Sequence, residues 1–155
     1  MKTIYLTLTL ALLLAFSCVW GQGVTVFMQE DFSGVDTGDI PTGWTATTSY
    51  WKVSNTAEAG GASPELRFYS DNSGEHRIYT SAIDISEASA LELNFLQKSY
   101  DLDDPGPYTL SVQVSNNAID WQNIWQEIDP ADIPQQLTVI SLSDYLSWDT
   151  IYISW

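Results

Sequence analysis

Cysteine, histidine and basic side chains are the scarce residues of this chain: one Cys, one His and five Lys plus Arg among 155 residues. A lone cysteine has no partner for an intrachain disulfide, and one His without a set of thiolates cannot build a usual zinc site. The sequence holds no Gly-x-Ser-x-Gly elbow, no His-Glu-x-x-His and no catalytic cysteine motif, so this segment is expected not to be an enzyme. His76, within Asn72-Ser73-Gly74-Glu75-His76-Arg77, reads as an exposed histidine of a turn that enters a strand. With twenty acids present, some pair falls at glycosidase spacing by chance, and paired carboxylates carry no weight.

Positive charge is the other shortage. Twenty Asp and Glu against five Lys and Arg leave a formal charge of -15, which repels phosphate backbones and anionic lipid headgroups. Nucleic acid and membrane surfaces are thereby poor partners. The same surplus favours cations, and calcium, which takes several carboxylate and carbonyl oxygens, is the natural candidate cofactor. Charged residues make up only 16% of the chain, but 45% hydrophobic and 13% aromatic residues are too much apolar matter for disorder. The length fits one domain.

No apolar run reaches the ~20 residues of a membrane-spanning helix. Met1 and Lys2 lead into Ile4 to Phe16, the positive start and short apolar core of a secretory signal peptide, and the run breaks at Ser17 to Gly21. Cleavage is expected after Gly21, giving a leader of residues 1–21 and a secreted or cell-surface domain of residues 22–155. Processing removes Lys2 and no acid, so the mature domain is one unit more negative than the whole chain. Cys18 lies in the processed region, which leaves the domain without disulfides. The alternative is that Ala15-Phe16-Ser17-Cys18 acts as a loose lipobox, with Cys18 lipidated.

From Val24 onward the dominant period is two. Leu91, Leu93 and Phe95 alternate with Glu92 and Asn94, and Tyr108, Leu110, Val112 and Val114 with Thr109, Ser111 and Gln113. Leu66 to Tyr69, Leu137 to Ile140 and Ile151 to Ser154 add three strands; Val24 to Met28, Trp51 to Ser54, Arg77 to Ser81 and Asn123 to Glu127 are weaker ones. Turn clusters separate them, among them Pro41-Thr42-Gly43, Gly60-Gly61, Asp71 to Gly74, Asp101 to Pro107 and Ser115-Asn116-Asn117. Only Asp144 to Trp148 could form a helical turn. The expected fold is an all-β antiparallel sandwich. Ile151 to Trp155 reads as a strand interrupted before its cap or turn, so the domain is expected to be incomplete at its C-terminus.

Several ordered segments carry a resemblance: Glu30-Asp31-Phe32, Pro41-Thr42-Gly43-Trp44, Trp51, Ala59 to Phe68 (Ala-Gly-Gly-Ala-Ser-Pro-Glu-Leu-Arg-Phe), Arg77 to Ile85, Leu91 to Phe95, and Tyr108 to Trp125. Together they resemble the MAM-like, choice-of-anchor jelly-roll domains of Bacteroidota secreted proteins, related to the cleaved adhesin domains of gingipains. The resemblance spans Glu30 to Trp155. It implies an extracellular, non-catalytic jelly roll, often beside a peptidase or other catalytic domain, on proteins exported by a type IX system with a C-terminal sorting domain. Adhesion, carbohydrate or protein binding, and bound calcium are the properties it implies. Asn116-Asn117-Ala118 stands where the family more often has Asp-Gly, and the family's final strand pair, with a Trp and an Asp-Asp, is not reached.

Two chemistries follow as candidates. Glu30 and Asp31 at the first strand, and Glu65 opening another after a Gly-rich approach, are candidate calcium ligands; Asp101, Asp103 and Asp104, crowded into one loop, are a second set. Sugar rings stack their C–H faces on aromatic rings while amides and carboxylates take the hydroxyls. Trp121 and Trp125, four apart and expected on one strand face near Asn117, Asp120, Gln122 and Asn123, are candidates for that role, with Tyr100 and Tyr108 flanking the acidic loop. Trp44, Trp51, Trp148 and Trp155 are expected in the core. The functional expectation is a calcium-stabilised module that binds extracellular glycan or protein; the alternative is a ligand-free accessory domain of a larger exported peptidase or hydrolase.

Overall fold

Alternating apolar and polar residues become strands throughout this computed structural model, which describes residues 4–10, 25–70, 74–100, 108–128 and 132–155. In chain order the strands are β1 (Ile4–Leu10), β2 (Thr45–Ala46), β3 (Trp51–Ser54), β4 (Glu65–Ser70), β5 (Ile78–Tyr79), β6 (Ile83–Asp84), β7 (Glu92–Tyr100), β8 (Thr109–Ser115), β9 (Gln122–Ile128), β10 (Ile133–Ser141) and β11 (Thr150–Ser154). A single 3-10 turn, Ser143–Tyr145, falls where the sequence allowed a helical turn. Among the described residues there is no α-helix, and none long and apolar enough to cross a membrane.

The strands form two antiparallel sheets. One runs β10-β7-β1-β4-β3; the other runs β2-β5-β11-β8-β9, with β6 also paired to β11. The fold is an all-β sandwich, as expected. β7 shows why. Leu93 and Phe95 are fully buried on its inner side, and the row continues through Gln97 and Ser99, buried as well. These polar residues are satisfied across the pair with β10: Gln97 Nε2 donates to Thr138 Oγ1 at 2.6 Å, and the Ile133 amide donates to Ser99 Oγ at 3.1 Å. A buried polar row of this kind is tolerated because its groups are hydrogen-bonded.

Val112, Val114, Ile151 and Ile153 from the facing sheet meet Val53, Leu66, Leu93 and Phe95 in one continuous core. Trp44 and Trp155 stack with ring centroids 5.9 Å apart; Phe95 meets Trp155 edge-on at a centroid distance of 5.9 Å, and Phe32 meets Trp44 at 6.2 Å. Aromatic pairs of this geometry add about 0.5–1.5 kcal/mol each beyond the area they bury. Trp44, Trp51 and Trp155 are buried and Trp148 packs against the core, so these four hold the positions expected of them.

Two short strands, β2 and β6, were not expected, and three further elements differ from the sequence reading. Arg77 to Ser81 shortens to two strand residues, Ile78 and Tyr79. Residues 25–28 form no strand; Phe27 and Met28 instead lie against the core. Ile4–Leu10, inside the expected leader, forms β1 between β4 and β7. Those seven residues alternate Ile, Leu, Leu and Leu with Tyr, Thr and Thr, so one stretch meets both the apolar demand of a leader and the period of a strand.

Candidate functional site

The outer face of the second sheet collects the aromatic and polar groups that could meet a ligand. Alternation in β5 buries Ile78 and turns Tyr79 outward, and alternation in β8 buries Val112 and Val114 and turns Gln113 outward. Along β9 the alternation is broken by a bulge. Val112 is opposite Trp125, yet Gln113 is opposite Asn123, so Ile124 is the extra residue.

That bulge corrects the expectation that Trp121 and Trp125 share a face. Trp125 packs against the core cluster, whereas Asn123 accepts a hydrogen bond at Oδ1 from Gln113 Nε2 at 2.5 Å on the outer side. Trp121, just before β9, is half-buried and sits beside two groups distant in sequence. The Arg77 guanidinium lies 4.6 Å from its ring centroid, and the Tyr79 ring lies 5.3 Å away.

Polar side chains extend from this pair in a connected row. Arg77 Nη2 contacts Glu75 Oε1 at 2.7 Å and donates to Gln113 Oε1 at 2.7 Å; Asn123 Nδ2 donates to Gln126 Oε1 at 2.7 Å. An indole and a phenol bordered by a guanidinium and three amides present the apolar face and the hydroxyl partners that a sugar needs. Asn117 and Asp120 serve the adjoining turn. Asn117 Oδ1 accepts from the amides of Ile119 and Asp120, each at 2.9 Å, and its Nδ2 donates to Asp120 Oδ2 at 2.9 Å. Their bonds support Ala118, whose φ of 57° lies in the region that favours glycine. A separate open cleft of about 320 Å³ is lined by Asn116, Ser147, Trp148, Asp149 and Thr150.

Tyr100 and Tyr108 border residues 101–107, the expected acidic loop, which lie outside the described residues. Tyr100 ends β7 in the other sheet, where Arg67 Nη2 donates to its hydroxyl at 2.6 Å and the Lys98 ammonium lies 5.0 Å from its ring. Tyr108 precedes β8 and is half-buried. Burial pushes the Tyr100 phenol up to about 12, against the opposing pull of Arg67. Because ~10 is the usual value in an unfolded chain, the folded protein keeps this proton where the unfolded chain loses it. Stability is therefore expected to fall as pH rises from about 10 to about 12 and to level beyond. Urea midpoints across that range should show the decline in the wild type and its reduction in Tyr100→Phe; identical profiles would refute it.

Among the metal candidates, Glu30 and Asp31 are engaged locally. The Phe32 amide donates to Glu30 Oε1 at 2.6 Å and the Ser33 amide to Asp31 Oδ1 at 2.9 Å, bracing a turn in which Phe32, fully buried, has φ 61°. Hydrogen bonds from Ser33 hold the Asp31 carboxyl below the usual carboxylate range. Glu65 differs. It is 0% exposed; Oε2 accepts from the Ala59 amide at 3.0 Å, and Oε1 has no hydrogen-bond partner among the described residues. The loop that covers it is pinned by Gly60, where φ is 100° and any Cβ would come within 2.0 Å of Gln135 Nε2. Only glycine fits there.

Among the described residues no group of three or more His, Cys, Asp or Glu side chains could hold a metal, so Glu30, Asp31 and Glu65 form no such cluster. Asp101, Asp103 and Asp104 lie outside the described residues. His76 is half-buried rather than exposed, its ring 5.1 Å from Tyr50 and 5.3 Å from Phe68. Sequence reasoning missed Arg77, Tyr79 and Gln113. The available signal was the outward position of each in a strand or at its entry, and the partners are set by sheet order, which the sequence does not state. Comparison of the chain with protein-family models, characterised proteins and solved structures finds no match.

Proposed function

We propose that this chain is a secreted or cell-surface, non-catalytic binding module of jelly-roll type, allied to the MAM-like and cleaved adhesin domains it resembles, that recognises extracellular glycan. One observation supports the reading: Trp121 is half-buried on the outer side beside Arg77 and Tyr79, while Trp44, Trp51 and Trp155 are buried. Core packing accounts for those three rings and not for Trp121.

The test is a glycan array followed by titration with tryptophan fluorescence. Trp121→Ala is expected to weaken binding about tenfold or more, equal to ~1.4 kcal/mol, with the thermal midpoint nearly unchanged. Trp125→Ala is expected to lower the midpoint instead, because that ring packs on the core. Absence of glycan binding and of quenching would favour the ligand-free accessory domain.

Calcium stabilisation belongs to the same proposal. Glu65, buried with one unpartnered oxygen, suits a hard cation that takes oxygen ligands, and it is the residue we assign to hold calcium, with backbone carbonyls completing the set. Bound calcium would supply the positive charge that a buried carboxylate otherwise lacks. Export depends on residues 1–21. Intact-mass analysis of the exported protein should give a chain starting at Gln22; a diacylglycerol mass on Cys18 would replace this processing with lipidation.

A further inference from the structure

Removal of the leader takes a strand out of the middle of a sheet, and the residues bordering the vacancy define what can fill it. β1 is paired on both sides and antiparallel to each neighbour: Ile4 to Leu8 align with Ser70 to Leu66, and Tyr5 to Leu10 with Tyr100 to Phe95. Without β1, the facing edges of β4 and β7 stand about two strand spacings apart, roughly 9.6 Å, too far to hydrogen-bond each other. Backbone groups so exposed at an edge are a template for another strand.

The borders are chemically distinct on their two sides. Register positions 6, 8 and 10 align with Phe68 and Ser99, Leu66 and Gln97, and Phe95, which lie on the core side of the sheet. Position 7 aligns with both Arg67 and Lys98. These are two of only five basic residues in the chain, and with β1 seated between them their side chains are 13% and 34% exposed. Glu58 approaches them from the covering loop at 3.8 and 3.7 Å, distances that leave room for a closer carboxylate.

We propose that the slot between β4 and β7 is a strand-acceptor site of the processed protein. Its occupant is an extended segment donated by another polypeptide, apolar at positions 6, 8 and 10 and carrying a carboxylate at position 7, opposite Arg67 and Lys98. Among the described residues of 25–155 every strand already has its place in a sheet, so the donor is not drawn from those strands. Main-chain pairing on both sides supplies affinity, and the Arg67–Lys98 pair supplies selectivity for an acid. The inference rests on the leader removal proposed above.

The experiment uses the exported, processed chain and two synthetic peptides with the sequence of Ile4–Leu10 bearing Thr7→Asp or Thr7→Lys. Amide hydrogen exchange of Glu65–Ser70 and Glu92–Tyr100 is followed with and without peptide, and affinities are measured by titration. Both strands should exchange rapidly alone and at least tenfold more slowly with the Asp peptide. The Asp peptide should bind at least tenfold more tightly than the Lys peptide, and Arg67→Gln should narrow that difference. Protection of both strands without peptide would overturn the proposal, because the slot would then be filled or closed by the chain itself. Equal binding of the two peptides, or none, would also overturn it. An intact mass beginning at Met1 would overturn it by a different route, since it shows that the leader reading has failed and that β1 stays in place.

Discussion

Phe95→Ala is expected to destabilise the fold by about 3–5 kcal/mol, the loss typical of a fully buried aromatic ring. Phe95 is 0% exposed and sits in β7, which is hydrogen-bonded to β10. Its ring meets Trp155 edge-on, and Trp155 is fixed by reciprocal backbone hydrogen bonds with Ile78, both at 2.9 Å. Trp155 also stacks on Trp44. The neighbours are therefore held in place and cannot collapse into the cavity, which puts the cost toward the upper part of the range. A domain of this size has ~5–15 kcal/mol in all, and no disulfide among residues 22–155 limits the unfolded state. Leu137→Ala, on a side chain 59% exposed, should change stability by no more than ~0.5 kcal/mol. Urea denaturation of both variants checks the contrast. A loss below ~1 kcal/mol for Phe95→Ala would contradict its place at the centre of the core.

The sheet class was readable wherever apolar and polar residues alternate. Leu93 and Phe95 in β7, and Val112 and Val114 in β8, alternate with polar residues, and the alternation is a direct consequence of side chains pointing to opposite faces. The inward row of β7 could be followed only halfway, because Gln97 and Ser99 look solvent-facing until Thr138 and the Ile133 amide are placed beside them. The candidate site was less legible. Spacing alone assigns Trp121 and Trp125 to one face, and a bulge of one residue separates them; nothing in Gln122 to Trp125 announces it. Arg77, Tyr79 and Trp121 meet because β5 and β8 both flank β11, an order that local pattern does not encode. Ile4–Leu10 shows the limit most plainly, since the same residues suit a leader and a strand.

Glu65→Gln should reverse its sign with calcium. In chelator, the wild type buries a carboxylate whose Oε1 has no hydrogen-bond partner among the described residues, an arrangement whose desolvation costs several kcal/mol. A glutamine removes that charge while its side-chain oxygen can still accept from the Ala59 amide, so the variant should be as stable as the wild type or more so. In calcium the order inverts. A cation bound only by the folded wild type adds about 2.7 kcal/mol at a hundredfold excess over its dissociation constant, and the variant, lacking the anionic ligand, should gain little. Glu30→Gln and Asp31→Asn serve as controls. Their side-chain oxygens brace the turn at Phe32 and an amide oxygen can still accept there, so both variants should respond to calcium as the wild type does. Thermal melts of the four proteins in millimolar calcium and in chelator decide the matter. A wild-type midpoint that ignores calcium would remove the metal from the proposal and leave Glu65 as a cap on the Ala59 loop, whereas an effect lost only in Glu65→Gln would locate the ion at that buried oxygen.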